Sequence, residues 1–354
     1  MRSNDYAQLR GYVASYREAI ACVGYDAIAH LQPSQFASIA FGGAGTAYAL
    51  WRLGMPRHAA AWLRGSLDDR RRAAFKLHDG HRAIERDSYS HGRAGLLWLR
   101  NLIVEPRAPD AITAYVRAID RVNAAEFVAG RAGHLTGVRL LLARRDDTRL
   151  RAAGEALASA LVRSLRARAK RGWRAIDAAG FAHSWSGVMH ALLAWHQLRA
   201  RPIPGWLADE LRALHAAWTP GAARIPDKAA SWCNGGAGTL LLWTKAFELT
   251  HDDRYRDAAR GAASHAVRAK TDDPTVCCGR GGVAFALLAL ARVDATRDWR
   301  ALALKVAIRA VKTRQLERPN GLYYGHPGLV CLALDLLSEN PVGFPTIEDR
   351  HAER

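Results

Sequence analysis

Two kinds of apolar pattern alternate along the chain. Segments such as Leu96-Leu97-Trp98-Leu99, Met189 to Trp195 and Leu329 to Leu337 are apolar on almost every face, which is the pattern of a helix covered on all sides. Between them lie segments such as Arg151 to Leu161, rich in Ala, Arg and Leu and apolar on one face only, as a helix exposed on its other side would be. The alternation predicts an all-α chain in which fully buried inner helices are each backed by an amphipathic outer helix.

Each inner segment is preceded by a short unit, Gly-x-x-Gly. It occurs at Gly42–Gly45, Gly92–Gly95, Gly130–Gly133, Gly235–Gly238, Gly279–Gly282 and Gly325–Gly328, with a seventh copy at Ser184–Gly187 in which Ser184 replaces the first glycine. The second glycines stand at 45, 95, 133, 187, 238, 282 and 328, and each interval is long enough for two helices and their turns. Paired glycines at the entry to a buried helix indicate either a positive φ or a close approach of neighbouring chain, and a loop turning into an inner helix leaves N–H groups free near the axis. Repeats that bury a face only against one another close into a ring or stack as an open solenoid. Glycines at every inner-helix start favour the ring. The expected fold is an α/α toroid (barrel) of seven inner and seven outer helices, one domain over residues 1–354 with recognisable repeats from about 40 to 338.

Composition narrows the function classes. The hydrophobic fraction of 49% and charged fraction of 24% are those of a packed domain. The polar start and the shortness of every apolar run predict no signal peptide and no stable membrane insertion. Five cysteines form no disulfide framework, so a reducing cytoplasm is expected. The net charge of +18 raises acidic partners. Outside Arg70-Arg71-Arg72 and the 163–174 stretch, however, the basic residues stand singly on polar helix faces without interleaved aromatics, so they are read as solvated surface and no nucleic acid is expected as a partner.

Two consecutive repeats carry cysteine just before their glycines: Trp232-Cys233-Asn234-Gly235 and Cys277-Cys278-Gly279. In a ring of equivalent loops, positions 44 or 45 residues apart become neighbours, so Cys233, Cys277 and Cys278 converge. Three thiolates suit a tetrahedral zinc with one open position. A free cysteine outside this register is a small buried apolar group, which is the expectation for Cys22 and Cys331. Trp232 is expected to pack and orient the Cys233 loop, and His91, His134 and His326 stand near equivalent loops, where they would line the same mouth.

With these motifs the chain resembles the LanC-like family, the zinc cyclases of lanthipeptide biosynthesis and their stand-alone relatives that add glutathione to dehydrated residues. The family's Trp-Cys-x-Gly segment is matched by Trp232 to Gly235, and its Cys-His-Gly segment by Cys277-Cys278-Gly279, with Cys278 in place of histidine. The resemblance implies one Zn²⁺ per chain on Cys233, Cys277 and Cys278. The family's Ala-His-Gly-x-x-Gly unit is similar to Ala182 to Gly187, which implies an acid/base role for His183, and an acid four places before the third repeat's first glycine falls on Glu126, a position where a carboxylate also serves as a plain cap or ion-pair partner. An arginine frequent before Trp-Cys is absent: position 229 is Ala and Lys228 is the nearest cation.

The implied activity is addition of a thiol, from a peptide cysteine or a glutathione-like molecule, to dehydroalanine or dehydrobutyrine in a peptide or protein. A separate dehydratase or kinase would supply that dehydrated substrate. The competing readings are a zinc-stabilised module that binds a peptide or partner without chemistry, and a toroidal carbohydrate enzyme, for which the loops offer few paired carboxylates.

Overall fold

The computed structural model describes residues 2–32, 34–69, 87–105, 108–312 and 316–350; the basic run Arg70-Arg71-Arg72 lies outside them. The described residues contain helices and turns and no strand. In chain order the helices are α1 (Arg2–Ala21), α2 (Tyr25–Ala29), α3 (Gly43–Arg52), α4 (Pro56–Asp68), α5 (Arg93–Leu99), α6 (Pro109–Ile119), α7 (Arg131–Leu142), α8 (Thr148–Ala169), α9 (Trp185–Leu198), α10 (Gly205–Ala217), α11 (Gly236–Thr250), α12 (Asp253–Arg268), α13 (Arg280–Leu290), α14 (Trp299–Val311) and α15 (His326–Leu337). The odd-numbered helices from α3 to α15 form the inner ring, and α15 packs on α3 to close it. Outside them, α4, α6, α8, α12 and α14 each back the inner helix that precedes them, and α1 backs α15. The remaining outer helix, α10, packs on the short turn Ala175–Ala178. The fold is an α/α toroid.

The sequence pattern explains the layers. In α9 every residue from Ser186 to Trp195 is buried, whereas α8 buries one face through Leu150, Ala153, Gly154, Leu157, Ala158, Leu161 and Leu165. Outer helices α8, α12 and α14 start on the carboxylates of Asp147, Asp252 and Asp298, which accept backbone N–H groups of the first turn. Inner helices start differently. Their first glycine has an extended backbone and offers no side-chain cap, as at Gly130 and Gly235.

The N–H groups expected to stand free at these starts are taken by the loop itself. Arg131 and Gly236 N–H donate to the carbonyls of Ala124 and Ala229 at 2.8 Å, and Arg280 and His326 N–H donate to those of Asp273 and Pro319 at 2.9 Å. In each case the acceptor lies seven residues upstream.

The reason for the second glycine is close approach alone. None of the seven has a positive φ. A Cβ on any of them would collide with the carbonyl oxygen six residues earlier: Ile39 for Gly45, Tyr89 for Gly95, Phe127 for Gly133, Phe181 for Gly187, Trp232 for Gly238, Val276 for Gly282 and Leu322 for Gly328. The side chains of those same residues are buried inside the ring. Trp232 packs there against Phe127, Phe181, Tyr323 and Phe344, as expected of a residue that seats its loop.

After α15 the chain turns back into the hollow of the toroid, which nothing in the repeat pattern announces. Phe344 packs on Trp232 and on Phe285 of α13. Thr346 accepts from Tyr89 Oη at 3.0 Å through its carbonyl, and its hydroxyl lies 2.6 Å from Tyr323 Oη. Glu348 pairs with Arg292 at 2.6 Å, Asp349 pairs with Arg144, and Arg350 reaches Glu248 at 3.1 Å. These partners stand at or just past the C-terminal ends of inner helices, so the segment closes the end opposite the glycine loops.

Candidate functional site

The seven glycine loops are joined by backbone hydrogen bonds that run around the whole ring. Ala40 N–H donates to Ser90 O, Ser90 to Val128, Val128 to Ala182, Phe181 to Trp232, Trp232 to Cys277, Cys277 to Tyr323, and Tyr323 back to Ala40, at distances from 2.8 to 3.4 Å. This circle is closed, as an open solenoid could not be. It also fixes equivalence between loops: the residue just before each first-glycine position is Phe41, His91, Ala129, His183, Asn234, Cys278 or Tyr324.

The circle brings the three cysteines together. Cys233 N–H donates to Cys277 O at 3.2 Å, and the sulfurs of Cys233, Cys277 and Cys278 all lie within 4.8 Å of one another. Cys233 Sγ and Cys278 Sγ are 3.8 Å apart. Two thiolates about 2.3 Å from a tetrahedral zinc are separated by about 3.8 Å, so the donor set fits that metal in number, softness and spacing. Hydrogen bonds with Cys277 and Cys278, and then with Ser231 and Asn234, hold the Cys233 thiol well below the usual thiol range. Hydrogen bonding to Cys233, with burial added, pushes Cys277 well up and Cys278 up to about 11.

His183 and Glu126 meet across the adjoining loops. His183 Nδ1 lies 2.9 Å from Glu126 Oε2, with the imidazole half exposed. The carboxylate is fixed by its own loop, accepting Val128 N–H at 3.1 Å and Ala129 N–H. Ser184, the departure from glycine, keeps the helix start intact: its hydroxyl donates to Gly180 O at 2.7 Å and accepts Ser186 N–H at 3.1 Å.

Other expectations fare differently. His91 stands at the mouth, against Phe41 at 4.6 Å between ring centres. His134 does not, because it is fully buried between Tyr89 and Tyr115. His326 faces the outer layer, with Nδ1 2.8 Å from Tyr12 Oη of α1. Cys331 is buried as expected, but Cys22 is exposed, since it follows the end of α1 and no repeat covers it. In the basic stretch, Arg168 pairs with Asp177 and lies over Trp173, while Arg166 lies over Trp206.

Sequence reasoning missed Tyr324, whose hydroxyl is 3.3 Å from Cys277 Sγ, and Asn234, whose Nδ2 is 3.1 Å from Cys233 Sγ. Both occupy the position before the first glycine, the same place as Cys278 and His183 in their repeats. That shared register was the signal that could have found them.

Comparison with known proteins agrees with this architecture. Nisin cyclase has a similar structure, with a TM-score of 0.63 and 13% identity, over 96% of this chain and 95% of the other. The profile described as lanthionine synthetase C-like protein matches residues 34–348. With its toroid closed around the paired glycine loops, the chain belongs to the lanthionine synthetase C-like family.

Proposed function

We propose that the protein is a zinc-dependent enzyme that adds a thiol to dehydroalanine or dehydrobutyrine residues of a peptide or protein, forming a thioether. The observation that carries this reading is the convergence of Cys233, Cys277 and Cys278 at the loop end, on the same ring of loops as the His183–Glu126 pair. Zinc held by the three cysteines would lower the pKa of a thiol taken into its open position and so supply a thiolate near neutral pH.

The thiolate forms a bond from sulfur to the β-carbon, the carbon–carbon π bond breaks, and its electron pair moves to the α-carbon and adjoining carbonyl. A proton must then reach the α-carbon. His183 serves as its donor. With Nδ1 engaged by Glu126, Nε2 is the nitrogen left to deliver the proton and recover one from the next thiol. Glu126, anchored by Val128 and Ala129 N–H, orients the ring.

The test is direct. Purified protein is expected to carry about one zinc per chain and to convert a dehydroalanine peptide plus glutathione, or plus an internal cysteine, to a thioether detectable by mass. Cys233→Ala should lose the metal, and His183→Ala should keep it but lose the reaction. Zinc binding without thioether formation from either thiol would leave a binding module and refute the enzymatic reading.

A further inference from the structure

Three thiolates place more negative charge around a divalent metal than the two thiolates and imidazole that the family resemblance would supply. Around this cluster two of the sulfurs have a polar side chain within reach. Asn234 Nδ2 donates to Cys233 Sγ at 3.1 Å. Tyr324 Oη lies 3.3 Å from Cys277 Sγ, and once that sulfur is a thiolate the hydroxyl is the only member of the pair with a proton to donate.

The two donors come from different loops. Asn234 and Tyr324 occupy the equivalent position in the fifth and seventh loops, flanking the sixth, which carries Cys277 and Cys278. Tyr324 is held by stacking on Phe41 at 5.0 Å, with the Arg318 guanidinium over both rings. Its hydroxyl direction is therefore fixed from outside the cluster.

We infer that Asn234 and Tyr324 form a pair of donors matched to Cys233 and Cys277, which offsets the charge of an all-cysteine site and sets its metal affinity and hold on an incoming thiol. These are positioning residues, acting through the sulfurs. Outer-shell partners of metal ligands commonly change metal affinity tenfold or more when removed. The inference rests on the zinc reading above.

The experiment uses the full chain and its variants Asn234→Ala and Tyr324→Phe, with Asn234→Gln, which keeps the amide donor, as the conservative control. Zinc affinity is measured by chelator competition, and the cobalt(II)-loaded proteins are compared by their sulfur-to-cobalt charge-transfer absorption. Asn234→Ala and Tyr324→Phe are each expected to weaken zinc by about tenfold and to shift the cobalt band, while Asn234→Gln stays near wild type. Circular dichroism and melting temperature confirm that the ring is intact in every protein compared, and a variant that fails to fold is replaced by Asn234→Ser or Tyr324→Leu at the same position. If wild type takes up zinc but the folded variants match it in affinity and in the cobalt spectrum, the donor set is refuted while the zinc reading stands. If wild type takes up no metal, both fall.

Discussion

Nδ1 of His183 and Oε2 of Glu126 lie 2.9 Å apart although the two residues belong to different repeats, and the carboxylate is fixed by two backbone N–H groups of its own loop. The imidazole is thus oriented from a neighbouring unit of the ring, with half of its surface open to solvent. Removing the ring of His183 should leave zinc binding unchanged and lower the rate of thiol addition by about 10²–10⁴-fold, the usual range for one general acid. Glu126→Gln keeps a hydrogen-bonding partner but not the charge, and a smaller fall is expected. Single-turnover rates on a dehydroalanine peptide, with metal content measured on the same samples, check both. Zinc loss in His183→Ala would show that the residue is structural.

Gly238 and Gly261 give opposite expectations for the same substitution. A Cβ on Gly238 would strike the Trp232 carbonyl and the backbone of Gly180 and Phe181, none of which can swing aside. Gly238→Ala should lower stability by about 1–3 kcal/mol or more through forced backbone shifts, with loosening of the Cys233 loop. Gly261 lies inside α12, where an added Cβ meets only Pro220 and Trp218 at 3.6 and 3.7 Å. Gly261→Ala should raise stability by about 0.5–1 kcal/mol from helix propensity. Chemical denaturation of both variants decides the matter; equal effects would refute the contact argument.

The ring and its inner and outer layers were legible in the sequence because period and glycine register repeat seven times, and repetition averages out local ambiguity. The cysteine cluster was legible for the same reason: Cys233 and Cys277 are equivalent positions in adjoining loops. What repeats only by position and varies in residue type stayed hidden. Asn234 and Tyr324 share no chemistry, so nothing in their identity marks them as sulfur partners. The segment from Val342 to Arg350 was hidden more deeply, because it obeys no period and its burial depends on charges as distant in sequence as Arg144 and Glu248. The glycines misled in one respect, since the residue type fits both positive φ and close approach, and only the coordinates separate them.

Buried imidazoles give the protein an acid-sensitive window. Burial pushes His91 and His134 down to about 3, against an ordinary value near 6.5. Between these values the unfolded chain binds protons that the native state refuses, so stability falls as pH drops from about 6.5 toward 3. Each residue adds about 1.4 kcal/mol per pH unit to the slope. His134→Gln can still bond the Asp87 carbonyl, which His134 Nε2 meets at 3.0 Å, and should flatten the slope by that amount. Urea unfolding from pH 7 to 4 measures it. An unchanged slope would mean that His134 is protonated in the native state.

The segment that enters the hollow of the ring carries charge that the inner helices need. Glu348 is buried and held well below the usual carboxylate range, where the charges of Arg292, Arg350 and Lys245 outweigh the cost of burial. Glu348→Gln leaves Arg292 with its charge uncompensated and should cost about 3–5 kcal/mol. Phe344→Ala should cost a similar amount, through the cavity opened beside Trp232 and Phe285. Phe344→Ala should also weaken zinc binding, because Trp232 precedes Cys233; Glu348→Gln, at the opposite end, should not. Melting curves and metal titrations of the two variants separate these effects.

Cys278 stands where the family resemblance would place histidine, and the substitution Cys278→His tests what the third sulfur does. Replacing a thiolate by a neutral imidazole removes one negative charge from the site, so an incoming thiolate is held more tightly and is less nucleophilic once held. The variant should retain about one zinc per chain, show a lower KM for the thiol and a lower kcat, and discriminate more strongly between thiols. Steady-state kinetics with glutathione and a second small thiol, run on wild type and variant, measure these changes. Faster addition by Cys278→His at equal zinc content would contradict the charge argument.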